Sequence, residues 1–168
     1  MYIAPKLVPN KVYSILINDW DEEVSGLFIA EGARWILVHD NQSDFLVEGF
    51  RFVHKLNIDE IIEDEETAFK NRVFQKKYPS LPTSEIYNLE NSELLLNELL
   101  QKEVLLHFDT DAADEIAVGK ITAVSTGTFT IRTLSQQAEW EETSEVAISE
   151  LSSIAIANDY LNSLSLFL

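Results

Sequence analysis

The chain contains no cysteine, which excludes disulfides and thiolate metal sites and fits a cytoplasmic protein. Glycine is nearly as scarce: there are five, each standing alone, so no glycine-rich phosphate loop or dinucleotide-binding fingerprint can form. No apolar run is long enough to span a bilayer. The opening segment MYIAPKLVPNK has no basic stretch followed by an apolar one, so no secretory signal is expected. Histidine occurs only as His39, His54 and His107, without the close spacing that places two ligands on one helix face. Structural roles are expected for all three. No Gly-x-Ser-x-Gly elbow is present, and the serine-rich tail NSLSLF has no histidine nearby. No catalytic residue and no cofactor site is therefore assigned.

Basic residues are also few. Twelve Lys and Arg face 29 Asp and Glu, a formal net charge of −17. Residues 1–77 hold nine basic and 14 acidic side chains, net −5, whereas residues 78–168 hold three and 15, net −12. Such a field repels phosphate backbones and disfavours ordinary nucleic-acid binding. It serves solubility, and it also suits docking on a basic protein partner.

What is present is a β-rich pattern. With 46% apolar residues in 168, the chain can build a genuine core. KVYSILIND, SGLFIAE, ARWILVHD and FLVEGFRFVHKL are short β-branched and aromatic runs broken by Gly, Asp and Asn, as in antiparallel hairpins. Gly32 in AEGAR is expected to supply a positive φ in a tight turn. EDEETAFKNRVFQKKY then reads as a helix, with acids first, Lys76 and Lys77 last, and Pro79 stopping it. Pro82 lies in a linker, SLPTSEIYN. NSELLLNELLQKE reads as a second helix, with Ser92 as its N-cap and Leu95, Leu96, Leu99 and Leu100 as a core stripe. VLLHFD, AVGKITAVS, TFTIRTL, SEVAIS and SIAIAN return to strand.

The two β-rich parts align without gaps at an offset of 93 residues. Asp21-Glu22 falls on Asp114-Glu115, Gly26 on Gly119, Ala30 on Ala123, Glu48 on Glu141, Val53 on Val146 and Ile61 on Ile154, seven identities over 56 positions. The shared order of strands argues for an internal duplication of a five-strand unit. Five short strands can curl into a small barrel, and the lone Gly early in the second strand permits the sharp bend. IDE and ELSS are expected to form one turn of 3₁₀ helix before each last strand. The sequence thus predicts a mainly β protein with two small five-stranded barrels. Residues 1–64 form the first, 65–102 a helical connection of two helices and a Pro-containing linker, and 103–168 the second.

The segments LLLNELLQKEVLLHF, DEIAVGKITAV, AEWEETSEVAISELSSIAI and NDYLNSL resemble those of an uncharacterised group of bacterial proteins with an Sm-like or SH3-like small β-barrel. RWILVHD and LVEGF of the first half look like divergent relatives of the same pieces. The resemblance implies a fold and no activity.

Three clusters are candidates for function. Asp109, Asp111, Asp114 and Glu115 offer oxygen ligands for a hard cation. However, an EF-hand register starting at Asp109 would need Gly where Asp114 stands and Glu where Lys120 stands, so the acids are read as a solvated turn and no metal is assigned. Trp35, in the apolar RWILV, is read as core. Trp20 and Trp140 sit in acidic loops, NDWDEE and AEWEET, where a tryptophan can anchor an interface or cap its own barrel. The residues assigned to partner binding are Trp140, Glu139, Glu141, Glu142 and Trp20. The expected function is a non-enzymatic module that binds a basic protein through its acidic surface. Two other readings stay open: an inhibitor or immunity-type protein mimicking nucleic acid, and an Sm-like RNA binder stacking bases on Trp140, against the acids that surround it.

Overall fold

The computed structural model describes residues 5–18, 23–110 and 116–168, with the backbone alone at Ile116. Among these, ten antiparallel strands form one sheet and three α-helices pack on it. The first five strands are β1 (Val12–Ile17), β2 (Glu23–Glu31), β3 (Trp35–Asp40), β4 (Phe50–His54) and β5 (Ile58–Ile62). Helices α1 (Glu65–Lys77) and α2 (Ser92–Gln101) follow. Then come β6 (Leu106–Thr110), β7 (Ile116–Ser125), β8 (Thr128–Leu134), β9 (Trp140–Ala147), β10 (Leu151–Ile156) and α3 (Asp159–Ser165). The protein is mainly β, as its composition implies.

Strand order across the sheet is β5-β1-β2-β3-β4-β10-β6-β7-β8-β9. The first half therefore runs 5-1-2-3-4 and the second repeats that order. The register repeats as well. Gly26 lies opposite Tyr13 and Asp40, and Gly119 lies opposite Leu106 and Thr133, 93 positions on in every case. Ile61 faces Ile15 as Ile154 faces Phe108. The bulge between Phe28 and Ala30 recurs between Ile121 and Ala123. A 3₁₀ turn precedes the last strand of each half, at Lys55–Asn57 and Ile148–Glu150, starting before the IDE and ELSS segments expected to form it. The sheet does not close on itself. The outer side of β4 is taken by β10, and the open edges are β5 and β9.

Glycine at the repeated position answers a close approach. A Cβ on Gly119 would lie 2.2 Å from the Arg132 carbonyl oxygen, and one on Gly26 would lie 2.4 Å from Val38 Cγ2. Gly32 behaves differently from the turn expectation. It does not adopt positive φ; instead a Cβ there would meet the Leu89 carbonyl carbon at 2.4 Å, because the linker backbone packs onto it.

Strands β3 and β4 are buried on both faces. Ile36, Val38 and Val53 join Tyr13, Ile15, Val24, Phe28 and Ile61 in one core. Trp35, Leu37 and Phe52 point the other way. They join Leu95, Leu96 and Leu99 of α2 with Phe108, Phe129 and Ile131 of the second half. A core shared in this way fixes the two halves against each other. The leucine stripe of α2 is core, as read from its spacing, but its N-cap is Asn91, whose side chain accepts from the Leu94 N–H at 3.0 Å; Ser92 is the first helical residue. Ser92 instead accepts from the Trp35 indole N–H at 3.0 Å, so both readings of Trp35 and α2 as core converge on one contact. Helix α1 begins with an Asp64–Thr67 capping box. Helix α3, in the serine-rich tail, was not legible as a helix; it buries Leu161 and Leu164 against Leu105 and Leu134.

Candidate interaction surface

Strand β9 begins at Trp140, so the acidic segment assigned to a loop is mostly strand. Trp140 pairs with Leu134, and Thr143, Ser144, Glu145 and Val146 pair with Arg132, Ile131, Thr130 and Phe129 of β8. Only Glu139 remains in the turn, where Ser135 Oγ accepts from the N–H groups of Gln137 and Glu139 and Ala138 takes positive φ. Acids are tolerated in β9 because it is an edge strand. Residues 141–145 are exposed on both faces.

The Trp140 ring is half-buried against Leu105, Leu134, Leu161 and Leu164, and the Arg132 guanidinium lies 5.1 Å from its centroid. Its apolar body thus rests on the α3 cluster, with Glu139 and Glu141 as its chain neighbours and Glu142 and Glu145 further along β9. Among the described residues none of these four carboxylates forms an ion pair, and Glu141 accepts only a long hydrogen bond, 3.4 Å from Thr133 Oγ1. Trp20 lies outside the described residues, as do Asp111, Asp114 and Glu115 of the acidic turn.

For Trp140 the half-buried position sets an intermediate expectation. Trp140→Ala should lower stability by roughly 1–2 kcal/mol, below the 3–5 typical of a fully buried aromatic. Partner affinity should fall by roughly 2 kcal/mol if the exposed part of the ring is an anchor. Urea unfolding separates the cases. A stability loss of about 3 kcal/mol or more would make the ring a structural plug and remove it from the interface.

Asp109 is not part of a solvated turn. It lies in β6, and its Oδ2 accepts from Arg51 Nη1 at 3.1 Å and from Ser153 Oγ at 2.7 Å. Arg51 also donates from Nε to Asp40 at 3.1 Å and from Nη1 to Ser153 at 2.8 Å. Gln42 completes Asp40 at 2.9 Å. This buried cluster straddles the β4–β10 junction, joining β3, β4, β6 and β10. Sequence reasoning missed it. The available signal was an arginine between Phe50 and Phe52, where strand alternation alone cannot reveal that a second unit lies alongside.

The histidines are all within strands. His54 stacks edge-on against Trp35 with centroids 4.7 Å apart, and His39 lies 5.2 Å from Phe50. Burial pushes the His39 pKa below its ordinary value. His107 is also lowered, chiefly by burial, with Arg51 adding to the shift and Asp109 and Asp40 opposing it. Both groups hold protons more weakly when folded than when unfolded. Their contribution to stability is complete above the unfolded pKa near 6.5 and is lost as pH falls below it toward the folded values. Between about pH 7.5 and pH 5.5 the free energy of unfolding read from urea titrations should drop, at no more than about 1.4 kcal/mol per pH unit per histidine. His107→Gln should shrink that drop; an unchanged pH dependence would remove His107 from the account.

Among the described residues no group of three His, Asp or Glu side chains is placed to hold a metal ion. A small polar cavity has Ser14, Glu23, Asn41, Asp64, Glu66 and Lys70 among its lining residues. Among the described residues no helix is long and apolar enough to cross a membrane. No family model, no curated protein and no solved structure matches the chain.

Proposed function

We propose that the chain is a non-enzymatic interaction module, built of two Sm-like or SH3-like small barrels, that binds a basic protein through the acidic surface of its second half. Support for the barrel reading comes from the identical strand order of the two halves and from the bulged second strand with its Gly, recurring at Gly26 and Gly119. The observation that carries the functional reading is β9. Its exposed Glu141 and Glu142 follow directly on the half-covered Trp140, Glu145 lies further along the same strand, and among the described residues none of the three forms an ion pair. Charges of this kind set encounter rate and salt sensitivity, and a neighbouring ring sets residence time.

The test compares retention on an immobilised histone-type basic protein with retention on heparin across a salt gradient. Retention on the basic protein alone, lost steeply with salt, is expected. Glu139, Glu141, Glu142 and Glu145 changed together to Gln should weaken it by about tenfold or more. Equal or stronger retention on heparin, or full retention of the Gln variant, would overturn the reading.

A further inference from the structure

The chain contains its own demonstration of what a fourth strand of this unit does with its outer edge. In the first half that strand is β4, and its outer edge receives β10 antiparallel, with Phe50 opposite Ile156, Phe52 opposite Ile154 and Val53 opposite Ser153. The equivalent strand of the second half, 93 positions on, is β9, and among the described residues no strand lies on its outer side. Its backbone is arranged in the same way. The Ile148 N–H bonds the Gly127 carbonyl at 2.9 Å, as the Lys55 N–H bonds the Arg34 carbonyl at 2.8 Å. Antiparallel pairing alternates, so Val146 and Ser144 turn their backbone groups toward β8. Thr143, Glu145 and Ala147 turn theirs outward.

We propose that β9 is a strand-acceptor edge, and that its occupant is an extended, Lys- or Arg-bearing segment of a partner protein that adds antiparallel beside Thr143–Ala147. The proposal rests on the acidic-surface reading above and specifies how that surface engages its partner. Main-chain hydrogen bonds supply the attachment, and alternate side chains supply the selectivity. A bulge between Trp140 and Thr143 breaks the alternation, so Glu141, which accepts from Thr133 Oγ1, lies on the opposite face of β9 from Glu145, which pairs with Thr130. An incoming strand therefore meets carboxylates on both faces, and cationic side chains opposite or diagonal to them are favoured.

A second copy of the chain fits this edge poorly. The copy's β5 would have to take the place that β10 takes on β4. The same register then sets Glu60 opposite Val146, Ile61 opposite Glu145 and Glu63 opposite Thr143, which crowds acids from both chains. The ionic clamp is also missing. Ser144 stands where Arg51 stands, and Leu16 stands where Asp109 stands.

The experiment uses the full chain and two labelled peptides of alternating Lys and Val. One has a normal backbone, and the other is N-methylated at alternate residues, which keeps the charge but removes donors needed for strand pairing. Fluorescence anisotropy at low salt should show the normal peptide binding about tenfold tighter than its methylated twin. Hydrogen exchange should slow at the amides of Thr143, Glu145 and Ala147 when it binds. Thr143→Pro removes one outward N–H at a site where an edge strand tolerates proline, and should erase the advantage. The amide protection is read on the unmodified protein, so the proposal stays exposed to refutation if that variant misfolds. Equal binding of both peptides, weakened alike by Gln at Glu141, Glu142 and Glu145, would overturn strand addition and leave the acidic-surface reading standing. Binding indifferent to those Gln changes, or none of either peptide, would overturn both. Concentration-dependent self-association in sedimentation that Thr143→Pro abolishes would assign the edge to a second copy and also overturn the proposal.

Discussion

Arg51→Ala should lower the free energy of unfolding by about 3–5 kcal/mol, the usual cost of breaking a buried ion pair by removing one partner. Its guanidinium bridges Asp40, Asp109 and Ser153, and the Asp40 side chain is only 2% exposed. Alanine would leave two carboxylates in the β4–β10 junction without their cation. Arg51→Lys should recover only part of the loss, since a single ammonium cannot reach along both Nε and Nη1 directions at once. Arg34→Ala, at an exposed position, should change stability by no more than about 0.5 kcal/mol. Urea unfolding of the three variants checks the set. An Arg51→Ala loss below about 1 kcal/mol would mean that water or a rearranged side chain satisfies the aspartates, and that the cluster does not hold the halves together.

Phe52→Glu is expected to do more damage still. Phe52 is fully buried, packs edge-on against Tyr87 at 5.0 Å, and belongs to the core shared by both halves. Loss of the ring costs about 3–5 kcal/mol, and an unpaired buried carboxylate adds several more. That sum is comparable with the whole stability of an ordinary domain, about 5–15 kcal/mol. The variant should therefore be largely unfolded at neutral pH, as read by circular dichroism. The reciprocal change is instructive, because Glu145 occupies the equivalent place in β9 and is exposed. Glu145→Phe should alter stability by less than about 0.5 kcal/mol while making the edge adhesive, seen as new self-association in sedimentation. A stable, cooperatively folding Phe52→Glu protein would show that the shared core does not depend on this ring.

The contrast between these two positions also shows where sequence reading succeeds and stops. The offset of 93 residues rested on seven identities, yet the strand register follows it through every pairing of the two halves. Register is legible because strand length, Gly position and turn spacing are local, and a slip of one residue would turn every buried side chain to solvent. Trp35 and the leucines of α2 were legible as core for the same reason. Trp140 was misplaced in a loop because three glutamates obscure the strand pattern; an edge strand exposed on both faces has no buried side to impose alternation. Asp109 was misread because its partner, Arg51, is 58 residues away.

The sequence by itself determined that the protein is mainly β, that its two halves share one strand plan, and that its charge is concentrated in the second half. Each follows from composition or from short-range periodicity, which need no partner strand to be read. Only the tertiary structure decided that β4 is sealed by β10 while β9 is left open. That choice depends on Phe50, Arg51 and Phe52 meeting side chains from a distant part of the chain, where Thr143, Ser144 and Glu145 meet solvent. Burial at a junction between repeats is set by what lies across it, and no local pattern records that.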